Sequence, residues 1–194
     1  LGIAVAERNP VGERDLILRA QAGESAAFGL LVERYMRRAY YAALGLVGSH
    51  EDALDLSQEA FVRAYRARQR LDPDLPFYAW LYQILRRLCF NFVRDRRTRR
   101  NRLQEARSWL AEQVGHRAEN GSPERSALRS EVRARVQAGI ERLRDREREV
   151  LVLKEFEGLR YREIAELLGI PIGTVMSRLY TARRHLAEVL EEES

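Results

Sequence analysis

The sequence is short of lysine, cysteine and histidine, and each shortage removes a class of chemistry. Of 34 basic residues all but Lys154 are arginine. A phosphate-cradling loop needs a Gly-Lys pair, yet Lys154 follows Leu153, and a Schiff-base enzyme would have that one candidate amine. The single cysteine, Cys89, excludes an intrachain disulfide or a CxxC metal site and points to a reducing, cytoplasmic setting. His50, His116 and His185 offer neither an HExxH pattern nor paired-ligand spacing. The expectation is a protein with no metal, no cofactor and no catalytic centre of its own. Nor does any run approach the roughly 18 apolar residues of a membrane span. The opening LGIAVAERNPVGERD lacks the basic and apolar regions of a signal peptide, so no membrane insertion is expected.

What is present is an ordinary globular balance: 194 residues, 45% hydrophobic and 32% charged. That is enough for one large or two small cores, and we read it as two compact helical units. The net charge is +5 and is carried almost wholly by arginine, the cation best suited to bidentate phosphate and carboxylate contacts. A polyanionic partner follows.

Apolar residues recur at helical spacing throughout, with no strand-like alternation, so the fold class is all-α. Residues 1–12 are assigned no structure. A short helix is expected over 13–22, ended by Gly23. A second follows Ser25 with Phe28, Leu31, Tyr35 and Ala39 inward, and a third starts at the N-cap Ser49 and ends near Arg70. After the break Asp72-Pro73-Asp74-Leu75-Pro76, a long fourth helix runs from Phe77 to about Arg97. The first unit is set at 13–102 and a flexible linker at 103–122, where Gly115, Asn120, Gly121, Ser122 and Pro123 gather. The second unit, 123–194, opens on Ser122-Pro123-Glu124 and carries Leu128, Val132, Val136 and Ile140 at four-residue intervals. A helix from Asp145 to near Gly158, one over Tyr161–Leu168, a turn at Gly169, and a last helix from about Pro171 to Leu190 complete it.

Three of these elements carry chemistry. The segment YREIAELLGIPIGTVMSRLYTARRHL has helix-turn-helix spacing. On its second helix Val175, Leu179, Ala182 and Leu186 share the inner face. Thr174, Ser177, Thr181 and Arg184 lie opposite, flanked by Arg178 and Arg183, where they can meet base edges and phosphates. The fourth helix holds six of the sixteen aromatic residues. Phe77, Leu81, Ile84, Leu85, Leu88 and Phe92 form its core stripe, while Trp80, Gln83, Arg87, Asn91 and Arg94 line another face. Residues 86–102 add eight Arg against one Asp, a charge of +7. Aromatic and amide groups running into a phosphate-attracting patch suit unstacked single-stranded bases. The third helix is the electrostatic opposite: Asp52, Asp55 and Glu59 form an acidic ridge that a basic protein partner could read, while Leu54, Phe61 and Tyr65 are expected in the core.

In combination, DALDLSQEAFVRAYRA (52–67), FYAWLYQILRRLCFNFVRDRR (77–97) and REVLVLKEFEGLRYREIAELLGIPIGTVMSRLYTARRHL (148–186) resemble, in the right order, the polymerase-binding, promoter-melting and −35-reading segments of extracytoplasmic-function RNA polymerase sigma factors. The resemblance implies a sigma-2 and a sigma-4 domain with no sigma-3 domain between them. It implies docking of Asp55, Gln58 and Glu59 on the clamp helices of the largest polymerase subunit, and a contact with the flap of the second-largest. Trp80, Gln83, Arg87, Asn91 and Arg94 would engage the −10 element as strands separate. Thr174, Ser177, Arg178, Thr181, Arg183 and Arg184 would serve the −35 element. An anti-sigma factor is the usual restraint in this family. The chain departs from the family at Arg87, Met176 and Thr181, and at Arg160, which stands where an N-capping Ser is favoured and should cost the next helix on the order of 1 kcal/mol unless compensated. The alternative is a dimeric helix-turn-helix operator-binding regulator that works without polymerase, for which neither the acidic ridge nor the aromatic face is needed.

Overall fold

The computed structural model describes residues 12–114, 136, 138–140 and 142–192, and every regular element among them is helical. The first unit consists of α1 (Glu13–Gln21), α2 (Ser25–Val47), α3 (His50–Arg66), a 3₁₀ turn (Arg68–Arg70) and α4 (Phe77–Val114). The second contains α5 (Asp145–Leu151), continued by a π turn over Val152–Phe156, then α6 (Tyr161–Leu168) and α7 (Ile172–Glu192). The expected helix start at Ser122-Pro123-Glu124, with Leu128 and Val132, lies outside the described residues, as do residues 1–11.

Local signals set the helix ends. Ser49 accepts a hydrogen bond from the Asp52 amide at 3.3 Å, with Glu51 and Asp52 against the positive end of α3. The start of α4 is capped from a distance: Glu13, fully buried, accepts the Phe77 amide at 2.9 Å and the Tyr35 hydroxyl. A carboxylate on α1 thereby satisfies an orphan donor that Pro76 cannot. Arg160 offers no capping acceptor for α6, but Glu163 reaches back to the Arg160 amide at 2.6 Å, half of a capping box, and so offsets part of the expected loss.

The core of the first unit is aromatic. Phe28 meets the Tyr65 and Phe77 rings edge-on at 5.1 and 5.9 Å, and Phe61 stacks toward Phe77 at 6.5 Å. In the second unit Val150, Leu153, Ile164 and Leu167 are buried together with Val175, Leu179 and Ala182 of the expected inner face of α7, whose fourth member, Leu186, is half-buried against them.

Two expectations are corrected. Helix α4 does not close near Arg97 but continues to Val114. Residues 98–114 contain no Gly or Pro and are rich in Arg, Leu, Ala, Glu and Gln, so helix propensity persists where the apolar period fades. Leu54 is not a core residue: it is 40% exposed on α3, while Ala53, Ala60, Phe61 and Ala64 do the packing and Tyr65 is half-buried.

The two units pack directly on one another. A Cβ on Gly45 of α2 would stand 2.8 Å from a methyl of Val152 in the π turn, so only glycine permits this approach. Arg148, 3% exposed, donates to the Leu46 carbonyl at 3.1 Å, placing a cation on the otherwise orphaned end of α2.

Candidate nucleic-acid and polymerase interfaces

The acidic ridge is on the surface. Asp55 and Gln58 are exposed, and among the described residues neither has an ion pair or a side-chain hydrogen bond. Glu59 is paired only with Arg63, one turn on, at 2.7 Å, and Asp52 stands 3.9 Å from Arg96 of α4. Leu54 and the 42% exposed Val62 flank these acids, so the ridge combines negative charge with apolar surface.

On α4 the structure brings four of the five expected residues to the surface in one row: Gln83, Arg87, Asn91 and Arg94 are exposed, and Arg94 donates to Asn91 at 3.2 Å. Trp80 differs. It is half-buried, with its ring 6.2 Å from that of Phe77, so it sits where the row meets the core. Gln83 is already engaged, donating to the Leu167 carbonyl of α6 at 2.8 Å. The Arg-rich stretch 94–100 is exposed throughout.

In the helix-turn-helix, Gly169 ends α6 with φ of 64°, a left-handed cap that lets the chain turn sharply into α7. On α7, Ser177 and Arg184 are exposed, while Thr174, Arg178 and Thr181 are half-buried. The Ser177 hydroxyl donates to the Thr174 carbonyl at 3.1 Å and that of Thr181 to the Ser177 carbonyl at 3.0 Å. Arg183 is held by Glu155 at 2.6 Å and Arg184 by Glu188 at 3.4 Å.

Comparison with known proteins decides what these surfaces belong to. Residues 31–99 match the family model for Sigma-70 region 2, and 133–186 that for Sigma-70, region 4. The RNA polymerase sigma-H factor of Pseudomonas aeruginosa is 36% identical over 185 residues, spanning 92% of this chain and 94% of that one. The ECF RNA polymerase sigma-E factor of Escherichia coli K12 is 36% identical over 170 residues, spanning 87% and 88%. The chain is a sigma factor of the extracytoplasmic-function type. It is an initiation factor that directs RNA polymerase to promoters. Among solved structures, that of CnrH in complex with the cytosolic domain of CnrY has a TM-score of 0.66 at 27% identity, covering 94% of this chain and 99% of that one. The Bartonella quintana sigma factor RpoE in complex with the anti-sigma factor NepR, at 24% identity and a TM-score of 0.57, shares the fold, covering 84% and 96%.

Sequence reasoning missed the joint between the two sigma units. Glu149 of α5, fully buried, accepts two bonds from Arg86, one of them at 3.0 Å, and one from the Tyr82 hydroxyl at 3.3 Å. Glu157, with its side chain 3% exposed, accepts from Arg38 at 3.0 Å and from the Tyr78 hydroxyl at 2.8 Å. The Arg38 guanidinium also covers the Tyr78 ring at 3.7 Å. Burial raises both carboxyl groups above the ordinary range despite their arginines, and it raises the Tyr78 and Tyr82 hydroxyls well above theirs. The available signal was the row Tyr78, Tyr82 and Arg86 at four-residue spacing, a second face of α4 beside the core stripe.

No group of three or more His, Cys, Asp or Glu among the described residues could hold a metal. Burial pushes the Cys89 thiol up to about 12, which keeps it protonated and inert. No described helix is long and apolar enough to cross a membrane.

Proposed function

We propose that the factor docks on core RNA polymerase through α3. Asp55, Gln58 and Glu59 meet the clamp helices of the largest subunit, and the sigma-4 unit contacts the flap of the second-largest. The row from Trp80 to Arg94 engages the −10 element during strand opening, and α7 enters the major groove at −35 with Thr174, Ser177, Arg178, Thr181, Arg183 and Arg184 along it. Two modules tethered on one polymerase gain effective concentration, so each needs only modest DNA affinity of its own. The factor makes no bonds itself; the polymerase supplies the chemistry. It works in the cytoplasm under the restraint of an anti-sigma factor, a reading supported by its likeness to CnrH, solved in complex with the cytosolic domain of CnrY.

The observation that carries this proposal is the α3 face, where unpartnered Asp55 and Gln58 stand beside exposed Leu54 and Val62 on an otherwise basic protein. Acids flanking apolar surface suit a protein interface, whereas acids alone would repel the promoter. The test is charge reversal, Asp55→Lys with Glu59→Lys. Both side chains lie outside the core, so the thermal midpoint should hold, while affinity for core polymerase falls by about thirtyfold or more. Normal transcription by the double variant would overturn the docking face.

A further inference from the structure

Helix α7 has an outward stripe that the polar −35 residues do not account for. Ile172, Met176 and Tyr180 recur every four residues and are 46%, 53% and 69% exposed, making Tyr180 the most exposed large apolar side chain among the described residues. The groups able to read guanine or adenine by paired hydrogen bonds are missing from the same turns. Between Ile172 and Thr181 there is no Lys, Asn or Gln, and the one Arg, Arg178, is half-buried with its charge bearing on Glu149. The hydroxyl protons of Ser177 and Thr181 are spent on backbone carbonyls of their own helix. Arg183 and Arg184, farther along, are tied to Glu155 and Glu188.

Resting on the assignment of α7 to the −35 element, we propose that the factor selects this element through thymine methyl groups, with Met176 and Tyr180 as the specificity-determining side chains. In the major groove, thymine alone of the four bases presents an apolar group, its C5-methyl, and apolar side chains are its natural contact. Guanine is chiefly read by a bidentate Arg or Lys and adenine by Asn or Gln, neither of which this stripe provides. Arg183 and Arg184, whose exposed pairs with Glu155 and Glu188 a phosphate can displace, and Arg160 and Arg162, exposed at the start of α6, hold the backbone and set register without choosing sequence. The occupant of the stripe is thus duplex DNA with A·T pairs at the positions facing Met176 and Tyr180.

The experiment uses the full chain bound to core RNA polymerase and a duplex promoter library randomised over the −35 region. Each thymine in the selected sites is then replaced by deoxyuridine, which keeps every hydrogen-bonding group and loses only the methyl. Selection should enrich A·T pairs at two or more positions, and deoxyuridine at these should weaken binding about fourfold per methyl buried. Met176→Ala and Tyr180→Ala should each erase the thymine-to-uracil difference at one position while leaving that at the other. Selection of guanine at the central positions, or indifference to deoxyuridine, would overturn methyl reading while leaving promoter recognition intact. No enrichment of any −35 sequence would overturn both methyl reading and the assignment of α7 to that element.

Discussion

The factor uses acidic side chains in two opposite ways. On α3, Asp55 is exposed and Glu59 is half-exposed in a weak pair with Arg63, so their charge is hydrated, cheap to keep and open to a partner. At the joint, Glu149 and Glu157 are withdrawn from water, and each is matched to an arginine and a tyrosine hydroxyl of the first unit. The first pair can recruit; the second is already occupied. What decides is desolvation: a carboxylate taken into low dielectric must be satisfied on the spot, here by groups of the first unit. The proposed −10 row also touches the joint. Gln83, which we propose for the −10 row, is bonded to the Leu167 carbonyl of the helix-turn-helix, so on that proposal a base that takes the Gln83 amide must displace that carbonyl.

The strongest way to break this comparison is to remove one arginine from each setting. Arg86→Ala leaves buried Glu149 with the Tyr82 hydroxyl and the more distant charge of Arg178, and truncating one partner of a buried pair costs about 3–5 kcal/mol. The loss should fall near the lower end, because the Arg86 side chain is itself 34% exposed and water can enter. Arg63→Ala removes the partner of Glu59 on the open ridge, an exposed pair one turn apart worth about 0.3–0.5 kcal/mol. Urea unfolding of both variants gives the ratio, and equal losses would mean that the joint is no drier than the ridge.

A smaller effect comes from titration. Burial raises Glu149 and Glu157 in the folded protein, so the folded state binds protons more readily than the unfolded chain. Stability contributed by these groups therefore grows as pH falls from neutral through their raised values, and levels off near 4.5, where unfolded carboxylates protonate too. The variant Glu149→Gln with Glu157→Gln should lack this slope, so its stability gains on the wild type as pH rises toward neutral. Parallel curves for the two proteins between pH 4.5 and 7 would show that the arginines fully offset burial. Glu24, exposed and held below the ordinary range by its hydrogen bond to Arg19, has the opposite sign and is common to both proteins.

Much of this architecture was legible in the sequence, because it rests on local signals: the Ser49 cap, the Pro76 start, the Gly169 turn and the inner face of α7. The joint was not. Charged residues on a helix ordinarily face water, so nothing near Glu149 or Glu157 marks them as buried; their partners Arg38, Tyr78, Tyr82 and Arg86 lie more than sixty residues away. For the same reason Tyr78, Tyr82 and Cys89 fell outside the core stripe assigned to α4: periodicity finds one buried face, and this helix has two. Leu54 failed in the other direction, since an apolar residue in an amphipathic helix is counted as core unless a partner surface is foreseen.

The smallest expected effect is also the one that links the joint to DNA. Gln83 belongs to the expected −10 row and to the joint, and Gln83→Ala separates these roles. In the free factor the substitution deletes one bond, the 2.8 Å contact with the Leu167 carbonyl. A neutral hydrogen bond contributes about 0.5–1.5 kcal/mol, and this one belongs near the bottom because Gln83 is exposed. Hydrogen exchange at the α6 amides should rise about two- to threefold, the Boltzmann equivalent of that loss. In the holoenzyme the same change removes an amide from the row shared with Arg87 and Asn91, so open-complex formation on duplex promoters should slow. A premelted bubble should recover most of the rate, because the cost of unstacking has been met in advance. Faster opening than wild type would instead make Gln83 a residue of the joint alone, whose release from Leu167 helps the factor engage, and Trp80, Arg87, Asn91 and Arg94 would be left to carry the −10 contact.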